Sequence, residues 1–335
     1  MDVSIIIPVY NAADKLSRCL DSLLKQDFNN FECLMVDDGS TDGSADICDR
    51  YVHKDTRFRV IHKQNGGVSS ARNMALAQAR GEWIVFVDSD DSITANHLSS
   101  LLSKASKNID WVLCGYQDIL PKLQKEHCYE AHTYLGKIDV TEFLCHSEVL
   151  DYMIPWDKMF RRSIIEEHHL QFDESLSISE DRLFCYQYMM YVRGIATTGE
   201  VTYIHDATDQ NSLSNRSYPF SMQAYRCKKL HTAMLDLLQH YGISGDNAYP
   251  FVFYDWEILK SAILAAMAEC GSILQAEKLQ RQLLQDCFDA TLFGSSGSTC
   301  HSLISNTRED RMIANGQFLL LNIYTKLRKL FNQLS

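Results

Sequence analysis

The chain has 335 residues, of which 46% are hydrophobic and 22% charged, and its formal net charge is −11. These proportions exclude disordered and fibrous proteins, and the length favours one large α/β domain with an appendage. The acidic balance argues against a nucleic-acid partner, because phosphate neutralisation needs clustered Lys and Arg. The eleven cysteines lack metal-ligand spacing. There is no signal-peptide pattern and no run of eighteen apolar residues, so a reduced, cytoplasmic protein is predicted.

Short β-branched runs alternate with amphipathic segments over the first 116 residues. Strands are predicted at 4–9, 31–36, 58–62, 83–87 and 111–115, and helices at 12–26, 42–52, 68–80 and 95–106. The strands are too apolar for one exposed face, so they are expected to be buried on both sides. This alternation predicts right-handed crossovers and a parallel, Rossmann-like nucleotide-binding sheet.

The pattern is looser after residue 116. The polar stretch 117–136 is interpreted as a loop or hairpin. Further strands are predicted at 158–161 and 201–205, and helices at 139–146 and 180–191. From residue 216 onward only helical periodicity remains, at 220–241, 249–269, 273–288 and 317–331, with a flexible linker at 294–299.

Acidic residues follow two of the predicted strands. Asp38 follows the second strand, and Asp88, Asp90 and Asp91 follow the fourth. Ligands of an open parallel sheet bind beyond the carboxyl ends of its strands. An Asp-x-Asp pair there suits a hard divalent cation that also takes phosphate oxygens. Asp residues also form turns and helix caps; that alternative is favoured for Asp42, and the metal is favoured for Asp90.

Two other features have the chemistry of a nucleotide site. Tyr10, at the end of the first strand, could stack on a base, although a Tyr at a strand end is also common core material. The segment 65–73, NGGVSSARN, has two glycines that permit close backbone approach, and Arg72 could face a diphosphate or the acids. Neither G-x-G-x-x-G nor a Walker sequence is present.

Six motifs occur in a fixed order: IIIPVYN, VDDGSTDGS, NGGVSSARN, VFVDSDD, PWDKMFRRSII and ISEDRLF. In this order and spacing they resemble the family 2 glycosyltransferases, which have the GT-A fold. The resemblance covers residues 1 to about 215. It implies a GT-A domain at 1–215, with a nucleotide-sugar-binding half at 1–116 and a mixed, acceptor-side half at 117–215. A C-terminal helical region would follow at 216–335.

The resemblance also implies roles for individual residues. Manganese or magnesium would be held by Asp90 directly, with Asp88 nearer the ribose, and Glu180-Asp181 would be the acidic pair whose Asp is the catalytic base. The residues that match donor-binding positions are Pro8, Tyr10, Asn11, Asp38, Arg72, Asp88 and Asp91. The implied reaction is inverting transfer from a nucleoside-diphosphate sugar, with a UDP-sugar as the expected donor, to a hydroxyl of a glycan or glycolipid acceptor in surface polysaccharide synthesis.

Sugar-transfer chemistry accounts for these roles. The leaving diphosphate needs charge neutralisation, which a metal supplies, and the attacking hydroxyl needs a general base, which Asp181 could provide. A single displacement from the side opposite the diphosphate inverts the configuration of the anomeric carbon. Residues 179–181 are also an ordinary helix start with favourable acids, which is the structural alternative for Asp181.

Two further positions are left open. Trp156 could stack on an acceptor sugar or lie in the core, and His205 could be a third metal ligand or a structural residue. The sequence also departs from the family, because the aromatic-Arg run expected after the strand at 201–205 is absent. Arg216 is a candidate substitute for the missing diphosphate clamp.

The final helix combines apolar residues with Lys326, Arg328 and Lys329. It is expected to pack on its own domain or a second subunit, and peripheral contact with the inner face of the membrane is the alternative. A sugar nucleotidyltransferase is disfavoured because its glycine-rich loop is absent after the first strand. A non-catalytic nucleotide-sugar-binding protein is disfavoured because Asp90 and Asp181 are both present.

Overall fold

The structure is a computed structural model that describes residues 1–145, 153–208, 218–270, 272–287, 310, 312, 313 and 317. The chain forms two compact units, one mainly before and one mainly after residue 216. The strands of the first unit are β1 Val3–Val9, β2 Phe31–Asp37, β3 Phe58–His62, β4 Trp83–Phe86, β5 Ser92–Ile93, β6 Trp111–Leu120, β7 Leu123–His127, β8 Thr133–Leu135, β9 Lys158–Arg161 and β10 Gly194–Asp206. The helices numbered before residue 216 are α1 Leu16–Leu24, α2 Ser44–Lys54, α3 Val68–Leu76, α4 His97–Leu102, α5 Gly136–Cys145, α6 Arg162–Glu167 and α7 Glu180–Met189.

The strands form one mixed sheet in the order β3-β2-β1-β4-β9-β6-β10-β5, with β7 paired to β6 and β8 to β10. The first four strands of this order are parallel. They confirm the predicted Rossmann-like half. Strand β9 pairs antiparallel with both β4 and β6. The strand at Trp111 therefore does not continue the parallel series directly, because β9, which comes later in the chain, lies between it and β4.

The burial of β1 and β2 determines where functional groups can lie. Every residue of β1 and β2 is buried, and α3 contacts both strands. Such strands can present functional groups only at their ends. Since β2, β1 and β4 are parallel neighbours, their carboxyl ends meet at one edge of the sheet.

The stretch 117–136 contains the hairpin that was one of its two interpretations. Strand β6 continues to Leu120 and turns into β7, with Tyr116 opposite His127. Strand β10 is longer than predicted and contains register shifts between Thr197 and Tyr203, near Gly199, whose φ is 76°. The polar residues at these positions conceal the strand period in the sequence.

The second unit is helical in its described residues. Its helices are α8 Phe220–Tyr241, α9 Tyr249–Glu269 and α10 Ile273–Cys287, with a 3-10 turn at Gly245–Ala248. The linker at 294–299 and the final helix, apart from Gln317, lie outside the described residues. Within the described ranges, no helix is long and apolar enough to cross a membrane.

Burial of His97 makes stability depend on pH. The ring is 0% exposed in α4, and its Nδ1 lies 2.9 Å from Thr202 Oγ1. Burial lowers the pKa of His97 to about 3, below the roughly 6.5 of an unfolded chain. The folded state therefore binds fewer protons, and its stability falls as the pH drops below about 6.5, by about 1.4 kcal/mol per pH unit.

Urea unfolding at pH 7.5, 6.0 and 5.0 tests this dependence. His97→Gln should remove about one proton from the slope of unfolding free energy against pH, whereas His53→Gln, at an exposed position, should not. An unchanged slope in His97→Gln would contradict the assignment.

Candidate active site

The ends of β1 and β2 form one side of the site. Pro8 is buried within β1, whereas the Tyr10 side chain is 53% exposed, so it is not core material. Asn11 has a left-handed backbone, with φ 48°. Its Oδ1 accepts a hydrogen bond from the Thr41 N–H at 2.8 Å. Asn11 thus links the chain after β1 to the turn after β2.

Asp38 organises the glycine loop. It is 2% exposed, and its carboxylate accepts the N–H groups of Gly66 at 2.9 Å and Gly67 at 2.7 Å, together with the Lys63 ammonium. Gly67 has φ 89°, a conformation that favours glycine. The sequence motifs VDDGS and NGGV are therefore in direct contact, through the hydrogen bonds that Asp38 accepts from Gly66 and Gly67.

Three acids follow β4 but have different surroundings. The Asp88 side chain is 30% exposed, and Asp90 is half-buried. Asp91 is 1% exposed. It accepts hydrogen bonds from Tyr203 Oη at 2.6 Å and the Asp206 N–H at 2.7 Å. The structure thus places Asp91 inside the protein, where it anchors β10, and its contact with a donor stays a prediction.

The acids raise one another's proton affinity. Burial, and then the charge of Asp88, raises the pKa of Asp90. Burial and the charges of Asp88 and Asp90 raise the pKa of Asp91 to about 7. Carboxylates in this state favour a cation beside them.

Arg72 joins the acids after β4 to the start of α7. Its guanidinium is bonded to Asp88 Oδ1 and to Glu180 Oε1, each at 3.0 Å, and the residue is 4% exposed. Burial opposes its charge, but the charges of Asp88 and Glu180 nevertheless raise the pKa of Arg72. The sequence predicted that Arg72 lies near the acids; its contact with Glu180 had no sequence signal.

The acidic pair begins α7. Ser179, just before it, has φ 64°. Glu180 is 7% exposed. Its burial and the charge of Asp181 raise the pKa of Glu180 to about 7. Asp181 is less buried, and its Oδ1 accepts the Arg182 N–H at 2.7 Å. Of the two acids, Asp181 is the more exposed.

Trp156 occupies the core position that the sequence left as an alternative. It is 6% exposed and packs against Tyr203, His205 and Tyr116, with ring centroids 4.6, 5.1 and 4.8 Å away. Since the indole is covered by these rings, it is not available to stack on an acceptor sugar. His205 is about one-third exposed, and its Nδ1 lies 2.8 Å from Asp118 Oδ1.

The three candidate metal ligands do not form a ready cluster. Among the described residues, no three His, Cys, Asp or Glu side chains are close enough to hold a metal ion. A site of one or two carboxylates completed by substrate phosphates is the usual arrangement for magnesium. Asp88 and Asp90 offer carboxylate oxygens after the same strand, so these donors fit a hard cation that takes its other ligands from a diphosphate.

Sequence reasoning missed a group of cations beside these acids. Arg18 donates hydrogen bonds to the Asp90 carbonyl and to Asp206 Oδ2, and Lys15 Nζ lies 3.5 Å from the same Asp206 oxygen. Asp206 directly follows His205, a candidate metal ligand, and this position was the available sequence signal for the group. Arg216, the candidate substitute clamp, lies outside the described residues.

The sequence matches the family described as Glycosyl transferase family 2 over residues 4–168. Glycosyltransferase EpsJ of Bacillus subtilis (strain 168), described as uncharacterized, is 34% identical over 247 residues. That alignment covers 72% of this chain and 71% of EpsJ. TarS of Staphylococcus aureus (strain MW2), a poly(ribitol-phosphate) β-N-acetylglucosaminyltransferase, is 27% identical, and the match covers 69% of this chain and 40% of TarS.

Solved structures share the fold. S. aureus TarS 1–349 in complex with UDP-GlcNAc superposes with a TM-score of 0.70 at 20% identity, over 99% of this chain and 92% of the other. The mannosyltransferase PcManGT of Pyrobaculum calidifontis, in complex with GDP-Man and Mn²⁺, gives a TM-score of 0.51 at 16% identity, over 97% and 86% of the two chains. The mixed sheet is therefore a GT-A fold, and the chain belongs to glycosyl transferase family 2 as an inverting glycosyltransferase.

Proposed function

We propose that this glycosyltransferase uses a UDP-sugar and a divalent cation to glycosylate a hydroxyl of a cell-surface glycan or lipid-linked acceptor. The observation that carries the proposal is that the residues proposed to bind the donor are connected to the helix that bears the proposed base. Tyr10 and Asp38 stand at the ends of β1 and β2, and the acids after β4 are joined through Arg72 to the helix that bears Asp181. The TarS complex with UDP-GlcNAc supports the choice of uridine.

The base of the nucleotide would stack on the exposed Tyr10 ring. Asp38 would accept a base N–H while it holds the Gly66 and Gly67 amides. Such polar contacts on the edge of a stacked base are the usual means of selecting one base. Pro8 and Asn11 would shape the same pocket from the end of β1.

Asp181 would take the proton of the acceptor hydroxyl as that oxygen bonds to the anomeric carbon. The bond from this carbon to the diphosphate breaks in the same step, and the electron pair leaves with the diphosphate. Attack from the side opposite the leaving group inverts the anomeric configuration.

Asp90 is the residue proposed to hold manganese or magnesium, with Asp88 beside it and His205 as a further ligand. The ion would neutralise the diphosphate as it leaves. The cations Lys15 and Arg18 are held near Asp90 by Asp206 and would add positive charge on that side. Asp118 would orient His205 through the Nδ1 contact.

The acceptor class rests on the relatives. TarS is named for a poly(ribitol-phosphate) acceptor, and a polymer with repeated hydroxyl groups is the kind of substrate proposed here. The exposed β6–β7 hairpin and the helical second unit are each candidates for binding the acceptor. Contact of the C-terminal helices with a membrane or a second subunit is also part of the proposal.

A donor-hydrolysis screen tests the proposal. Purified protein with manganese is incubated with UDP-, GDP- and dTDP-sugars, and the released nucleoside diphosphate is measured. Release from a UDP-sugar, abolished by chelator, is expected. Release from a GDP- or dTDP-sugar alone would overturn the uridine assignment, and release that persists in chelator would overturn metal dependence.

A calorimetric titration of UDP with and without manganese separates the remaining alternative. A non-catalytic binding protein would hold UDP with manganese yet hydrolyse no donor and transfer to no acceptor. Turnover with any donor excludes that alternative.

A further inference from the structure

Arg72 is one of two neighbouring residues of α3 that contact α7 or the segment before it. Its guanidinium bonds Glu180 on one side and Asp88 on the other, each at 3.0 Å. At 4% exposure, with one Nη bonded to each carboxylate, Arg72 faces protein groups. An arginine that bound the donor diphosphate would instead need to present its N–H groups to the pocket.

Asn73 makes the second connection. Its Oδ1 accepts the Phe172 N–H at 2.8 Å, and its Nδ2 donates to the Phe172 carbonyl at 2.9 Å. The Phe172 ring stacks on Phe184 of α7, with centroids 4.2 Å apart and planes at 5°. The same ring lies 5.1 Å from the Arg72 guanidinium carbon. The two residues therefore support α7 through one ionic and one aromatic contact.

Asp181 depends on this support for its position. The hydrogen bond described for its carboxylate is local, from the Arg182 N–H. Its direction is thus set by where the first turn of α7 lies, and that turn is tied down by Glu180 next to it. Glu180 is the anchor of the pair, since it is buried and bonded to Arg72.

We propose that Arg72 and Asn73 are positioning residues that align Asp181 with the donor side of the site, and that Glu180 is the anchor through which Arg72 acts. This assignment rests on the proposed function, in which Asp181 is the base. It replaces direct donor binding as the role of Arg72. Lysine should reproduce this function poorly, because its single flexible nitrogen lacks the rigid planar fork whose two Nη groups bond Glu180 and Asp88.

The test compares Arg72→Lys with Arg59→Lys. Arg59 is a matched control, since it also bridges two residues, Glu32 at 3.0 Å and Gln78 at 3.2 Å, remote in sequence from the acids and α7. Three quantities are measured: turnover with the donor that the screen identifies, calorimetric affinity for UDP with manganese, and hydrogen exchange of peptides that cover 180–189.

Arg72→Lys should lower turnover by about 10- to 100-fold, the scale expected when a reacting group is displaced by about 1 Å. Affinity for UDP should stay within about threefold, and exchange in α7 should quicken because the anchor of its first turn is weakened. Arg59→Lys should change none of the three. Asn73→Ser should repeat the Arg72→Lys pattern, and Glu180→Gln, which keeps an oxygen for Arg72, should lose less turnover than Glu180→Ala.

Weakened UDP affinity with unchanged turnover at saturating donor would overturn the proposal and make Arg72 a donor ligand. Unchanged turnover together with unchanged exchange in α7 would overturn it as well. Should Arg72→Lys fail to fold, the Glu180 pair and Asn73→Ser carry the same comparison. Failure of the proposed function would be distinct, because wild-type protein would then turn over no donor.

Discussion

Asp181→Asn is expected to cut sugar transfer by about 10²–10⁴-fold, the usual contribution of a general base. Affinity for UDP with manganese should stay nearly unchanged. The amide keeps an oxygen for the Arg182 N–H, which the carboxylate accepts at 2.7 Å, so the start of α7 should be preserved. Initial rates with the identified donor and acceptor, together with a calorimetric titration, measure both quantities.

Asp46→Asn is the matched control for this substitution. Asp46 is an exposed acid in the first turn of α2, so its replacement removes the same favourable helix-dipole interaction without touching the site. It should leave transfer intact. A fully active Asp181→Asn enzyme would remove Asp181 as the base, and an equal or larger loss in Glu180→Gln would transfer that role to its neighbour.

Asp90→Ala is expected to change affinity and stability in opposite directions. Affinity for UDP in the presence of manganese should fall by at least about 10- to 100-fold, the loss seen even for residues that only orient a metal ligand. Without metal and nucleotide, thermal stability should rise, because the variant removes a half-buried charge that repels Asp88 and Asp91. Calorimetry and thermal unfolding are the two measurements.

Asp42→Ala provides the contrasting control. Asp42 accepts the Ala13 N–H at 2.9 Å and the Ser44 N–H at 3.0 Å, so its loss should lower stability by about 0.5–2 kcal/mol. Manganese-dependent affinity for UDP should be retained. If Asp90→Ala bound UDP with manganese as tightly as wild type, the metal assignment would be refuted.

The strand runs at 4–9, 31–36, 58–62 and 83–87 could be located from sequence because each is short, apolar and bounded by turn residues. Their helices were found with end errors of a few residues; α4, for example, covers His97–Leu102 where 95–106 was expected. The insertion of β9 between β4 and β6 could not be found. An apolar run shows that a strand is buried, but it does not show which strand lies beside it or in which direction.

The family, the α/β class and the residues at the carboxyl ends of β1, β2 and β4 can all be predicted from the sequence, because motif order and buried strand periodicity are local properties. Which of those residues are exposed and which are buried depends on contacts that form only in the folded chain. Asp91 is buried and holds β10 through its hydrogen bond from Tyr203, and Trp156 is buried in the core. The connection between Arg72 and Glu180 spans 108 positions, and such a contact exists only once the sheet has brought α3 and α7 together.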